Sequence, residues 1–135
     1  MKLHFPLLIL VLVAYNVLVF FTGISLSGEI FSLTMVSGVL WIFQVSDLLI
    51  LFALVLLFFE VLKATRTGAG AIVDHLLSTV VFIVALIEFI LVGKAATSTF
   101  FLLVVITLVD VIAGYSVSIT SARRDLSIGH PDSYV

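Results

Sequence analysis

The run "FFLLVVITLVDVIAGYSVSI", residues 100–119, is apolar at nearly every position until Asp110 interrupts it near its middle. A carboxyl group accepts hydrogen bonds when ionised and donates one when protonated. An Asp at the centre of a membrane costs about 2.5–3.5 kcal/mol, so it requires a compensating contact. Asn16 interrupts the first apolar run at a similar depth. We therefore expect Asn16 and Asp110 to form a midplane polar pair, a hydrogen bond that joins the first and last helices.

Two further interpretations of Asp110 are open. Intramembrane carboxyl groups mark ion and proton paths, and they also mark contacts with partner subunits. Thr107, Gly114 and Ser118 are related to Asp110 by spacings of three or four residues, so all four share one helical face. Small and polar residues on one stripe are typical of a packing surface in a membrane bundle. This face is predicted to pack against other helices.

A second group of ionisable residues occurs near the adjoining ends of the second and third apolar runs: Glu60, Lys63, Arg66, Asp74 and His75. Long basic side chains can keep their stems in apolar surroundings while the charge reaches water. We therefore expect a charge cluster at the cytoplasmic boundary that fixes the depth of the helices. The alternative is that His75 acts as a pH-sensitive group or a metal ligand.

At the opposite end of the third run, Glu88 lies about one helical turn from the boundary and Lys94 follows it. This pair is predicted to form a salt bridge on the outer side. The chain has no cysteine, its three histidines fall in different regions, and it contains no HExxH, GxSxG or phosphate-binding loop motif. We expect no catalytic residue, no metal and no cofactor, and hence no enzyme.

The composition of the chain predicts the kind of structural element that positions these residues. Of the 135 residues, 63% are hydrophobic and 10% are charged, and the mean hydropathy is +1.42, whereas soluble domains are about half apolar and a quarter charged. Four apolar segments, 5–23, 48–64, 72–92 and 99–122, approach the length of about 20 residues that a membrane helix needs. The sequence predicts an all-α membrane protein, a four-transmembrane-helix bundle forming a single domain over residues 1–135.

The basic residues predict the orientation of this bundle. Five of the six lie on one side of it: Lys2, Lys63, Arg66, Arg123 and Arg124. By the positive-inside rule this side is cytoplasmic, which predicts that both termini are cytoplasmic and that residues 123–135 form a tail there. A net charge of −2 without a basic patch excludes nucleic acid as a partner.

The segment between the first two apolar runs, residues 30–46, has the pattern of a β-hairpin. Apolar and polar residues alternate before the pair Ser37-Gly38, and aromatic and β-branched residues follow it. Ser46 or Asp47 is expected to cap the next helix. The competing interpretation is one long helix that begins near Val39.

A lone hairpin is marginally stable in water, so this one must rest on another surface. Four of its apolar residues are candidates for contact with a neighbouring subunit or with lipid: Phe31, Leu33, Trp41 and Phe43. Tryptophan in particular is enriched at membrane interfaces.

The runs "FEVLKATRTGAGAIVDH", "ATSTFFLLVVITLVDVIAG" and "ARRDL" resemble small four-span membrane proteins of bacterial genomes. That resemblance implies a topology and no activity, and it is the basis for expecting the inner membrane of a bacterium as the location. "GVLW", residues 38–41, is similar to the "GLW" of claudins, four-span proteins with a β-structured first outer loop, although it has an inserted residue and their cysteine pair is missing. This likeness implies only an architecture.

These observations favour a structural or accessory membrane subunit, forming a homo-oligomer or joining partner membrane subunits in contact with lipid. The alternative is an oligomeric channel or a proton-coupled small transporter that uses Asp110. A third interpretation is a protein that binds lipid or quinone through its aromatic loop.

Overall fold

The computed structural model describes the backbone of residues 5–65 and 69–129, and their side chains except those of 69–71, 118, 121–122 and 124–129. Its elements follow in the order α1 (Ile9–Phe21), β1 (Glu29–Thr34), β2 (Leu40–Gln44), α2 (Val45–Lys63), α3 (Ala69–Leu91), a 3-10 turn (Gly93–Ala95) and α4 (Ser98–Gly129). The predicted helical fold with a hairpin between the first two helices is confirmed. The alternative of one long helix from Val39 is wrong.

Three helices contain stretches long and apolar enough to cross a membrane: Val45–Lys63, Ile72–Leu91 and Ser98–Val117. The remaining helix, α1, has 13 residues and is therefore about 20 Å long, less than the hydrocarbon thickness of about 30 Å. It is shorter than the predicted segment because the chain before Ile9 forms a turn, closed by an Ile9 N–H to Pro6 O bond of 3.3 Å. The chain becomes extended again at Thr22.

Three other boundaries differ from the prediction, one of them being the start of α3 at Ala69 rather than at residue 72. Helix α2 begins three residues early because β2 runs directly into it, and the side chains of Gln44 and Asp47 cap its first turn reciprocally. Helix α4 continues to Gly129, so the first part of the predicted tail, residues 123–135, is helical. Neither Gly nor Pro occurs from residue 115 to 128, and Pro131 follows, which disfavours helix at the residue before it.

Helix α4 is the centre of the bundle, since both α2 and α3 pack along it. Its buried apolar residues include Phe100, Leu103 and Ile106, which meet side chains of the other helices such as Leu49 and Ala85. The outward faces of the helices are also apolar and exposed over most of their length. Exposed apolar surface of this extent marks an interaction with another apolar phase or molecule, which is consistent with a membrane protein.

The hairpin consists of antiparallel strands in which Phe31 is opposite Phe43 and Leu33 is opposite Trp41. Its turn is closed by a Gly38 N–H to Met35 O bond of 2.9 Å. Gly38 has a φ of +90°, a conformation that residues with a side chain rarely adopt. The Ser37-Gly38 pair therefore marks the turn because of this backbone requirement.

Candidate functional site

Lys63, the last residue of α2, is the centre of a buried group of charges. Its Nζ lies 3.1 Å from Glu60 Oε1 and 3.4 Å from Asp74 Oδ1 of α3. It also donates to Phe5 O at 2.8 Å, and the same Glu60 oxygen accepts the Leu7 N–H at 2.8 Å. The lysine cluster, defined as Glu60, Lys63 and Asp74, thus joins α2 to α3 and to the segment before α1.

The lysine cluster lies inside the bundle, whereas the sequence interpretation placed its charges at the boundary with access to water. Glu60 is 3% exposed and Asp74 is 6% exposed. Neighbouring elements supply their hydrogen-bond partners, so neither side chain needs to reach solvent. Such burial is stable only when the charges are paired and their remaining sites are satisfied. Arg66, also predicted to belong here, lies outside the described residues.

Asp110 of α4 extends this group towards the middle of the bundle. It is 5% exposed, and its carboxyl group is within electrostatic range of Glu60, Asp74 and Lys63. Three carboxyl groups therefore lie near one ammonium group. Among the described residues, no set of three or more His, Asp or Glu side chains has a geometry that could hold a metal ion.

Asn16 and Asp110 are not brought together as a pair. The Asn16 amide donates to Leu12 O within its own helix at 2.9 Å, and more weakly to Glu88 Oε1 of α3 at 3.4 Å. Asn16 therefore lies at the level of Glu88, three residues before the end of α3 that is closer to the hairpin.

Glu88 and Lys94, the predicted outer salt bridge, have other contacts. Both ion pairs found among the described residues are formed by Lys63. The Lys94 ammonium instead lies 5.1 Å from the centre of the Phe20 ring, within range of a cation–π interaction.

Tyr15 stabilises the end of the bundle that lies away from the lysine cluster. It is not among the residues predicted from the sequence. Its side chain is fully buried, and its hydroxyl lies 2.8 Å from both Lys94 O and Thr97 Oγ1. Its ring packs on Phe100 at 4.8 Å. The presence of a tyrosine inside an apolar run could have predicted such a contact, because a buried phenol normally has a hydrogen-bond partner.

The predicted packing face of α4 is buried where its side chains are described. Thr107 is 2% exposed and donates to Val104 O at 2.6 Å. A Cβ atom on Gly114 would lie 3.4 Å from the His75 ring, so glycine permits this close approach. The Ser118 side chain is outside the described set.

His75 packs beside Gly114 and has a polar atom without a partner. The side chain is buried, its ring centre lies 5.1 Å from that of Tyr115, and its Nε2 atom makes no hydrogen bond within the described part of the chain. It contributes packing at the α3–α4 contact.

The hairpin presents an exposed aromatic face. Phe31 stacks on Phe43 at 5.0 Å, and Trp41 meets both rings edge-on at 5.7 and 5.8 Å. Leu33 lies opposite Trp41 in the register and so belongs to the same face. We call these four residues the aromatic face; three of them, Phe31, Leu33 and Trp41, are 44–54% exposed.

The hairpin is firmly joined to the helices. The backbone N–H groups of Val45 and Ser46, at the start of α2, donate to Gly28 O and Leu26 O, each at 2.9 Å. β2 passes into α2 without an intervening loop. The aromatic face therefore has a fixed direction relative to the bundle.

Comparisons with known proteins give no relative: no family model, no curated protein and no solved structure matches this chain. A fold alone does not define an activity. The function of the protein must therefore follow from the contacts and exposure of its own side chains.

Proposed function

We propose that this protein is a small integral membrane protein that serves as a structural or accessory subunit and self-associates through the aromatic face of its hairpin. The main observation in support is that this apolar face is exposed on a hairpin that is joined to α2 by backbone hydrogen bonds. In this proposal both termini are cytoplasmic and the hairpin lies on the outer side.

The membrane location is supported by the helices. Three have the length and apolar composition of a membrane span, and their outward residues, such as Leu51, Phe58 and Ile112, are exposed and apolar. In the proposed arrangement α1, which is shorter, packs against them through Val11 and Tyr15.

A protein surface is a more favourable contact for the hairpin than the hydrocarbon of the membrane. It forms a two-stranded sheet, so each strand has an outer edge with open N–H and C=O groups. Such edges are not tolerated in hydrocarbon, yet the aromatic face is unfavourable in water. A protein surface can cover the face while the edges remain hydrated.

A second copy of the chain fits this face. None of Phe31, Leu33, Trp41 and Phe43 is charged, so two identical faces meet without repulsion. Another copy in the same membrane presents its face at the same height. An isologous contact about a two-fold axis along the membrane normal would pack the faces at the sheet spacing of about 10 Å.

Native mass measurement in nanodiscs tests this proposal. We expect a dimer for the wild type and a monomer for Phe31→Ser, because each copy would lose about 1.5–3 kcal/mol of aromatic burial. Two copies together would weaken association by on the order of a hundredfold or more. Val36→Ser is the matched control: Val36 is fully exposed at the turn, outside the aromatic face, and its replacement should leave the dimer intact.

The fluorescence of Trp41, the only tryptophan, separates the alternatives. In a dimer its emission should shift to shorter wavelength in the wild type and return towards that of exposed tryptophan in Phe31→Ser. A monomeric wild type whose emission depends only on added lipid would mean that the face rests on the membrane surface, and it would overturn the proposal.

A second candidate function is proton-coupled transport or a channel. It is favoured by the approach of Asp110 to Glu60, Asp74 and Lys63, which gives a series of polar groups from the middle of α4 to the end of α2. Carboxyl groups buried inside membrane proteins mark proton relays.

Proton flux into liposomes tests this candidate. Asp110→Asn should abolish a pH-gradient-driven flux that the wild type shows, whereas Glu29→Gln, which changes an exposed carboxyl group of β1, should retain it. A wild-type protein without flux above that of empty liposomes would reject the candidate.

A further inference from the structure

A groove between α1 and α3 has the shape and polarity of a binding site. It has a volume of about 270 Å³ and is lined by Ile9, Leu12 and Val13 of α1 and by four aliphatic residues of α3 between Val80 and Ala85. Asn16 and Glu88 lie at its polar end. The exposure of Val13 (53%) and Val84 (57%) means that the groove opens sideways, towards the lipid in the proposed membrane location.

The groove exists because α1 and α3 are not closely packed. Both α3 and α2 make extensive backbone contact with α4, while α1 has its closest helix contact with α2. The long Asn16–Glu88 hydrogen bond, at 3.4 Å, closes one end of the gap. Aliphatic side chains line the rest without meeting across it, so the space between the helices remains unfilled.

Glu88 supplies the chemical selectivity. A carboxylate has about four acceptor positions, and the hydrogen bond that the structure describes for the Glu88 side chain is the long one from Asn16. Neither of the ion pairs among the described residues involves it. A carboxyl group at the end of an otherwise aliphatic groove gives a positive ligand group a direct hydrogen-bond partner.

We propose that the α1–α3 groove binds the alkyl chain of an amphiphilic primary-ammonium compound, whose NH3+ group pairs with the Glu88 carboxylate. Glu88 lies three residues before the end of α3, close to the hairpin end of the bundle, where a charged group would reach the membrane interface. From Glu88 to Val80 the groove extends over eight residues, about 12 Å along the helix. A flexible aliphatic chain matches walls that contain only aliphatic side chains. This inference rests on the proposed membrane location and is independent of dimer formation.

Photolabelling in nanodiscs of phosphatidylcholine tests the site, because the quaternary ammonium group of that lipid has no N–H to donate to the carboxylate. The probe is a long-chain alkylamine with a diazirine near the end of its chain. We expect labelling of peptides that contain Leu12 and Val84, and competition by dodecylamine but not by dodecanol. Charge-assisted hydrogen bonds contribute about 1.5–3 kcal/mol, so Glu88→Gln should reduce labelling about tenfold or more.

Two variant pairs separate charge from shape. Glu29→Gln removes an exposed carboxyl group at the same end of the molecule and should leave labelling unchanged. Val84→Phe fills the groove and should abolish labelling although Glu88 is retained. Its control, Val55→Phe, enlarges an exposed residue of α2 away from the groove and should have no effect.

Addition of phosphatidylethanolamine identifies the source of the ammonium group. Loss of labelling would identify a lipid headgroup as the ligand, whereas unchanged labelling would identify a free amphiphilic amine. Equal labelling of the wild type and Glu88→Gln, or equal competition by dodecanol, would overturn the inference. The native mass of each variant is measured in the same nanodiscs, so loss of binding with an intact dimer is distinguished from failure of the proposed self-association.

Discussion

Lys63 pairs with Glu60 at 3.1 Å while their side chains are only 10% and 2% exposed. The same ammonium group contacts Asp74 of α3 and the backbone of Phe5. One cation thus satisfies groups from three parts of the chain. This relationship makes Lys63 a structural centre of the end of the bundle that lies away from the hairpin.

Replacement of Lys63 by Met should strongly destabilise the fold. Removal of one partner of a buried ion pair typically costs about 3–5 kcal/mol, because the remaining charges are left uncompensated. The free energy of unfolding in mixed micelles measures this loss. Lys94→Met is the control, since Lys94 is exposed and its contact with Phe20 contributes about 0.5–1 kcal/mol. Equal losses in both variants would mean that the lysine cluster is not a structural centre.

Replacement of Tyr15 by Phe should lower the free energy of unfolding by about 1–3 kcal/mol, because Lys94 O and the Thr97 hydroxyl lose a buried partner. Tyr115→Phe is a matched control. The Tyr115 hydroxyl lies 3.3 Å from Thr79 Oγ1 in an exposed position, so its removal should change the stability by less than about 0.5 kcal/mol. Chemical denaturation of both variants under one condition measures the difference, and a larger loss in Tyr115→Phe would contradict this assignment.

Replacement of Gly38 by Ala should loosen the hairpin. A side chain in the left-handed region costs about 1–2 kcal/mol, so the Met35 and Gly38 turn should open about tenfold more often. Hydrogen exchange of the backbone amides in residues 29–44 reports this opening. Gly23→Ala is the control, because no atom lies within 4 Å of its added Cβ and its φ is not in the left-handed region. Unchanged exchange in Gly38→Ala would show that the turn does not depend on glycine.

Much of the architecture follows from local sequence patterns. Long apolar runs indicate α2, α3 and α4, since their composition alone decides the surroundings they require. Ser37-Gly38 marks the hairpin turn because the backbone conformation there is specific to glycine. These features depend on neighbouring residues in the chain, so they can be predicted without knowledge of the tertiary packing.

The polar contacts could not be predicted in the same way. The position of a residue along its apolar run predicts its depth in the membrane only if all helices begin at the same level. On that assumption Asn16 and Asp110 lie at matching depths. In the folded chain Asn16 lies beside Glu88 instead, because packing sets the relative depth of the helices. The rotation of each helix is also set by packing. For this reason the approach of Asp110 to the lysine cluster, and the burial of that cluster, appear only in the folded chain.

Crosslinking of single cysteines in native membranes tests the proposed self-association most directly, because the chain contains no cysteine of its own. Leu33→Cys places a thiol on the aromatic face, and Leu40→Cys places one on the opposite face of the same hairpin. With a bis-maleimide matched to the sheet spacing of about 10 Å, we expect a crosslinked dimer from Leu33→Cys and little from Leu40→Cys. Equal crosslinking of the two variants, or none in either although both thiols react with a monofunctional maleimide, would contradict dimer formation through the aromatic face.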